Sequence, residues 1–227
     1  MTAKIAIIHT TPVTIDPLKA LAAELIPGCA VINLVDDSIL PELNANGGNV
    51  DAIADRWKQY AAIAEKLGAK CILNACSSIG EIPALVQPDI SVPIVRIDQA
   101  MAEYAVRSAA VVGVAATLAT TLQPTERLLR RTAEEEGRAI RLVPALASEA
   151  YGKLLAGDKE GHDRELAALL RKLAGETDIV VLAQASMAWV LERFGEEERK
   201  KFISSPRLGM QKAAAALSNH KGDLTDG

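Results

Sequence analysis

Short apolar runs rich in β-branched residues alternate along the chain with longer stretches in which apolar positions recur every three or four residues. The first kind predicts strands and the second amphipathic helices. Strands are expected at Lys4–His9, Ala30–Leu34, Lys70–Asn74 and Ile94–Arg96, and again at Ala109–Val114, Ala139–Val143 and Asp178–Ala183. Helices are expected at Ile15–Leu25, Val50–Leu67, Ile79–Val86 and Gln99–Ser108, then at Pro124–Glu136, Ser148–Ala156, Lys159–Leu173 and Met187–Phe194. Gly68 and Gly137 stand where helix-ending glycines belong. A last helix, Pro206–Ser218, precedes a polar tail, Asn219–Gly227, expected to fray.

Strands and helices alternating at this spacing predict parallel sheets with helices on both faces. The two cycles are of similar size, and in each the third main strand runs into a turn of small residues. The expected fold class is α/β, with two pseudo-symmetric Rossmann-like halves whose parallel sheets are flanked by helices. The first half takes residues 1–98 plus 206–227, the last helix returning to it, and the second takes 99–205. No linker rich in Pro, Gly or Ser separates them.

Ligands of such sheets bind beyond the carboxyl ends of the strands. That rule selects Thr10-Thr11, Cys76–Ser78, Thr117–Thr121 and Gln184–Ser186 as candidates for one cleft. Cys76 closes the apolar run Cys71–Ala75 and is followed at once by Ser77-Ser78 and a helix start. A thiol facing a helix N-terminus sits where free N–H groups and the helix dipole favour thiolate. Cys29 and Cys71 lie in or beside apolar strand patterns and read as small buried hydrophobes. The segment Asp178–Ala188 has the same shape as the Cys76 segment, but Gln184 stands at its reactive-looking position. Thr117, Thr120 and Thr121, after a strand and before the helix expected at Pro124, suit either an oxyanion site or a capping and turn cluster. Thr10-Thr11-Pro12 has the same two readings.

Composition narrows the functions. About half of the 227 residues are apolar and only 3% aromatic, the balance of an α/β protein with many helix–strand contacts. Net charge is −4 with both signs interspersed, and no basic patch carries interleaved aromatics, so no nucleic-acid partner is expected. No apolar run is long enough to span a bilayer, and the Met1 end lacks the layout of a signal peptide, so a cytoplasmic location without membrane contact is expected. Three cysteines and three scattered histidines predict neither a disulfide framework nor a metal site. The loop after the first strand is not of the Gly-x-Gly-x-x-Gly type, which disfavours a dinucleotide cofactor. Asp36-Asp37 and Glu134–Glu136 read as surface charge, and His162, in a charged helical stretch, as solvated. Homo-oligomerisation is left open.

The Cys76 turn and its mirror, the Thr-x-x-Thr spacing of Thr117 and Thr120, and the two similar halves resemble the aspartate/glutamate/hydantoin racemase superfamily. The most specific stretches are Asn74–Glu81, Val92–Asp98, Val112–Thr121 and Val180–Ala188. The resemblance implies a two-domain α/β enzyme that needs no cofactor, in which two cysteines face each other across the α-carbon of a small carboxylate substrate. It implies that Cys76 is the first-half cysteine, that Ser77 and Ser78 bind substrate carboxylate, and that Thr117 and Thr120 form the carboxylate loop. The second-half signature Val-Leu-Gly-Cys-Ala-Gly-Met-Ala, laid on Val181–Ala188, puts Gln184 on the cysteine, with Ala183, Ala185, Ser186, Met187 and Ala188 flanking it. The expected activity is proton transfer at carbon next to a carboxylate with Cys76 as single acid/base, as an isomerase or a decarboxylase or lyase variant. The alternative is a non-catalytic binder of a small carboxylate.

Overall fold

The computed structural model describes residues 3–222, with side chains through Asn219. Two compact units divide it. One holds the chain through Ile97 together with the segment from Pro206 onward, and the other is Asp98–Ser205.

In the first unit, strands β1 (Lys4–His9), β2 (Ala30–Val35), β3 (Cys71–Asn74) and β4 (Ile94–Arg96) form a parallel sheet of order β2-β1-β3-β4. Beyond Lys4, every residue of β1 is buried, and so is all of β3. Strands covered on both faces read as continuous apolar runs, which is why these two were visible without any alternation. Helices α1 (Ile15–Leu25), α2 (Ile39–Ala45), α3 (Asp51–Lys66) and α4 (Ile82–Val86) connect them. Helix α3 buries Ile53, Trp57, Ala61 and Ala64 on one face, in the same cluster as Ala6, Ile8 and Ile72. Trp57 is fully buried there, and its truncation to alanine would cost about 3–5 kcal/mol.

The second unit repeats the plan. Helix α5 (Gln99–Ser108) leads into β5 (Val111–Ala116), α6 (Ala119–Glu135), β6 (Arg141–Leu146), α7 (Ser148–Leu155), α8 (Lys159–Glu176), β7 (Ile179–Leu182), α9 (Glu196–Arg199) and β8 (Phe202–Ser204). Its sheet is also parallel, in the order β6-β5-β7-β8. Leu166, Leu170 and Leu173 of α8 cluster with Val180, Leu182 and Phe202. The last helix, α10 (Ser205–Gly222), begins at the unit boundary. The α/β class with two similar parallel sheets is the one the alternation predicts.

Several local expectations are corrected. Helix α6 starts at Ala119, so Thr120 and Thr121 lie in its first turn and not in a loop before Pro124. Pro124 inside the helix forfeits one backbone bond, and the burial of Thr121, Pro124, Thr125 and Leu128 offsets it. The helix expected at Ile79–Val86 is split into a tight 3₁₀ turn, Ser77–Ile79, and α4. Met187–Phe194 lies largely within a longer 3₁₀ run, Ala185–Arg193. Elements α2, α9 and β8 were missed; the last two span only four and three residues. Helix α10 runs on through Gly222 into the tail expected to fray, and residues 223–227 lie outside the described region. His162 is buried, 2% exposed, on the face of α8 that also buries Leu166 and Leu170, and its Nδ1 hydrogen-bonds the Asp163 carboxylate at 2.8 Å. Cys29 is only half-buried. Asp36 is not merely surface charge: it accepts from the Tyr60 hydroxyl at 2.9 Å and pairs with Arg56 at 3.1 Å. Among the described residues no helix is long and apolar enough to cross a membrane.

Candidate active site

In the first unit, Ile8 of β1 lies opposite Asn74 of β3, and the Ala75 N–H continues the ladder to the Ile8 carbonyl at 3.0 Å. Thr10 and Cys76 each stand two residues beyond that pair, so they leave the sheet together on neighbouring strands. Cys76 is still extended (φ −131°, ψ 116°), and the chain then tightens into the Ser77–Ile79 turn. This aims hydroxyls and N–H groups back at the sulfur. The Thr10 hydroxyl, the Ser78 N–H and hydroxyl, and the Ile79 N–H all hydrogen-bond it.

Burial nevertheless pushes the Cys76 thiol above its ordinary range, against the pull of those bonds. This corrects the expectation that a helix start lowers it. A three-residue turn carries little dipole, and the residue is only 8% exposed. The resting form is the neutral thiol, and its conjugate thiolate, once formed, is a strong base with donors already in place. Cys71, at the other end of β3, is pushed up to about 12 by burial and the nearby Cys29. Among the described residues it has no such ring of donors, and it fits its reading as a core residue.

Polar groups brace the Cys76 turn from below. The Asn74 side-chain N–H groups reach the carbonyls of Cys76 at 3.1 Å and Ile79 at 3.4 Å. Gly80 packs on the buried Arg96 side chain so closely that a Cβ there would come within 2.3 Å of the guanidinium carbon. The Ser77 hydroxyl is buried without a protein partner among the described residues, and a buried hydroxyl left without a hydrogen bond costs free energy. His9, just before Thr10, is buried between Thr14 and Asn33, and burial holds its pKa down. Thr11 is half-buried, and its carbonyl accepts from the Thr14 hydroxyl at 3.2 Å.

The second unit places its residues by the same register. Ala115 lies opposite Leu182, and the Ala183 N–H reaches the Ala115 carbonyl at 2.9 Å. Two residues on stand Thr117 and Gln184. Gln184 is extended (φ −112°, ψ 133°) before the Ala185–Arg193 run, as Cys76 is before its own turn. The Gln184 side-chain oxygen accepts from the Thr117 N–H at 2.7 Å and from its hydroxyl at 3.0 Å. Ala185 and Ser186 are half-buried, Thr120 is half-buried and Thr121 is buried. Thus Thr10, Cys76 and Ser78 are brought together in one unit, and Thr117 with Gln184 in the other. Sequence reasoning missed Asn74 and Arg96 as supports. Each was legible as a polar or charged residue ending an apolar strand.

The profile described as Asp/Glu/Hydantoin racemase matches residues 7–213. The chain belongs to that family. Membership makes this Asp/Glu/hydantoin racemase family member an enzyme of the racemase and isomerase type. Its fold is similar to that of glutamate racemase RacE1 from Bacillus anthracis, at 17% identity and TM-score 0.72, covering 99% of this chain and 85% of that one. The aspartate racemase of Picrophilus torridus is similar at 15% identity and TM-score 0.71, covering 97% and 94%. The allantoin racemase of Klebsiella pneumoniae aligns at 15% identity and TM-score 0.64, covering 96% and 89%. No curated relative matches the sequence.

Proposed function

We propose that this family member transfers protons, without a cofactor, at a carbon next to a carboxylate, with Cys76 as its single acid/base. The observation that carries the proposal is the ring of donors around the Cys76 sulfur, set against an amide, Gln184, at the same register position of the other unit. The Cys76 thiolate takes the α-proton, and the electron pair left on carbon moves onto the adjoining carboxylate or carbonyl as an enediolate. The thiol then returns a proton to the same face. In a decarboxylating variant the pair arises when CO₂ leaves, and the thiol supplies the proton. Ser77, with its unpartnered hydroxyl, and Ser78 are assigned to the carboxylate, and Thr10, Thr11, Thr117, Thr120, Thr121, Ala185 and Ser186 to substrate binding.

Racemisation by two bases needs a proton carrier on each face, and an amide does not titrate near neutral pH. Isomerisation, decarboxylation or a lyase step therefore fits better than amino-acid racemisation.

Incubation with hydroxy, amino, keto and malonate-type acids in deuterium oxide tests the proposal. The unmodified protein should introduce deuterium at the α-carbon of at least one acid. Cys76→Ser should reduce the rate by about a hundredfold or more, the scale of a lost general acid/base. Binding of an acid with no uptake at any α-carbon would overturn the proposal.

A further inference from the structure

We infer that Thr117 is a positioning residue for Gln184, and that the Gln184 amide presents its nitrogen, a two-proton donor, to an oxygen of the bound acid. This rests on the carboxylate reading above and adds to it what the second unit contributes.

A backbone N–H can only donate. The Gln184 atom lying 2.7 Å from the Thr117 nitrogen must therefore be its carbonyl oxygen, which settles by chemistry an amide orientation that shape alone leaves ambiguous. The Thr117 hydroxyl donates to the same oxygen at 3.0 Å. Two donors from one residue thus hold one end of the planar amide, and Nε2 is left as the group with protons to give. Both Thr117 donors are engaged within the unit, so a ligand carboxylate meets the amide nitrogen before it meets the threonine.

The first unit explains the origin of the device. There the corresponding hydroxyl, Thr10, donates to the Cys76 sulfur. A threonine placed to donate to a thiolate donates equally well to an amide oxygen. With glutamine in place of a thiol the clamp stays satisfied, and the donor moves outward to the far side of the amide. Such a donor favours an oxygen carrying negative charge, a carboxylate or an enediolate, and repels an ammonium group.

The test uses the full chain labelled with nitrogen-15 and malonate as probe. The Gln184 side-chain resonances are assigned by their loss in Gln184→Glu, whose carboxylate can still accept from Thr117 but offers oxygen where the amide offers N–H. Malonate should shift both Gln184 amide protons, and Gln184→Glu should weaken malonate binding by about tenfold to a hundredfold, the range for a hydrogen bond to a charged group. Thr117→Val, which keeps the N–H bond and removes the hydroxyl, should weaken binding less, and Thr117→Ser should restore it. Malonate binding that leaves the Gln184 protons unmoved, or that is unchanged in Gln184→Glu, overturns the inference and leaves the Cys76 reading intact. If neither malonate nor any other small carboxylate binds the unmodified protein, the carboxylate reading falls and the inference with it. Equal malonate binding by Thr117→Val and the unmodified protein removes Thr117 from the role.

Discussion

The turn after β3 and the turn after β7 are built on one register but are braced differently. Each follows a backbone bond to the central strand, each begins with an extended residue, and each of those residues receives a threonine hydroxyl. Beneath Cys76 lie Asn74, whose amide ties two turn carbonyls, and Arg96, which fills the space that Gly80 leaves. The corresponding residues in the second unit are Leu182, Ser204 and Ala188. Every residue from Cys71 to Gly80 is buried, whereas Gln184, Ala185 and Ser186 are half-exposed. On the proposed mechanism the thiol gains and loses charge under cover, which calls for a rigid ring of donors, because reorganisation there adds directly to the barrier. A neutral amide makes no such demand, and its turn is packed with apolar residues instead.

Substitutions at matched positions can break the comparison. The largest effect belongs to Cys76→Ser, already set at about a hundredfold or more in exchange rate, with little change in melting temperature. A fall in stability large enough to explain the lost activity would remove Cys76 from the chemistry. Gly80→Ala comes next. Its new methyl group meets a buried guanidinium, so overpacking of about 1–3 kcal/mol should appear in urea unfolding, together with slower exchange. Ala188→Gly, at the matched position, should cost only about 0.5–1 kcal/mol and leave exchange unchanged. Equal costs at the two positions would mean that the two turns are not braced differently.

The fold was legible because β1, β3, β5 and β7 are apolar runs between amphipathic helices, and period and spacing carry that information. The candidate site was legible in part. Cys76 and Gln184 stand out because each ends such a run at a polar turn. What could not be read was the balance at the sulfur. Local sequence suggests a helix dipole, but burial is a property of the packed unit, and it outweighs a three-residue turn. The pairing of Thr117 with Gln184, 67 positions apart, was also hidden, since it depends on the β5–β7 register. His162 deceived for a similar reason: its charged neighbours in sequence do not tell which helix face is covered.

Smaller effects sharpen the electrostatic side. Thr10→Val removes a hydroxyl that pulls the Cys76 pKa down, so the thiol should rise further and the exchange–pH profile should move to the alkaline side. An unmoved profile would show that the hydroxyl does not act on the sulfur. Cys71, raised from 9.0 to about 12 in the folded chain, is neutral there while its unfolded counterpart ionises. The stability it contributes is full below pH 9 and is lost as pH rises toward 12. Melting temperatures of Cys71→Ala should therefore decline less steeply over that window than those of the unmodified protein.

The most direct measurement follows the configuration of a chiral acid that exchanges in deuterium oxide, for the unmodified protein and for Gln184→Cys. With one proton carrier, deuterium should enter at the α-carbon of the unmodified protein's substrate with a single configuration kept, and interconversion of the enantiomers should arise only in Gln184→Cys. Efficient interconversion of both enantiomers by the unmodified protein would contradict the single-base mechanism.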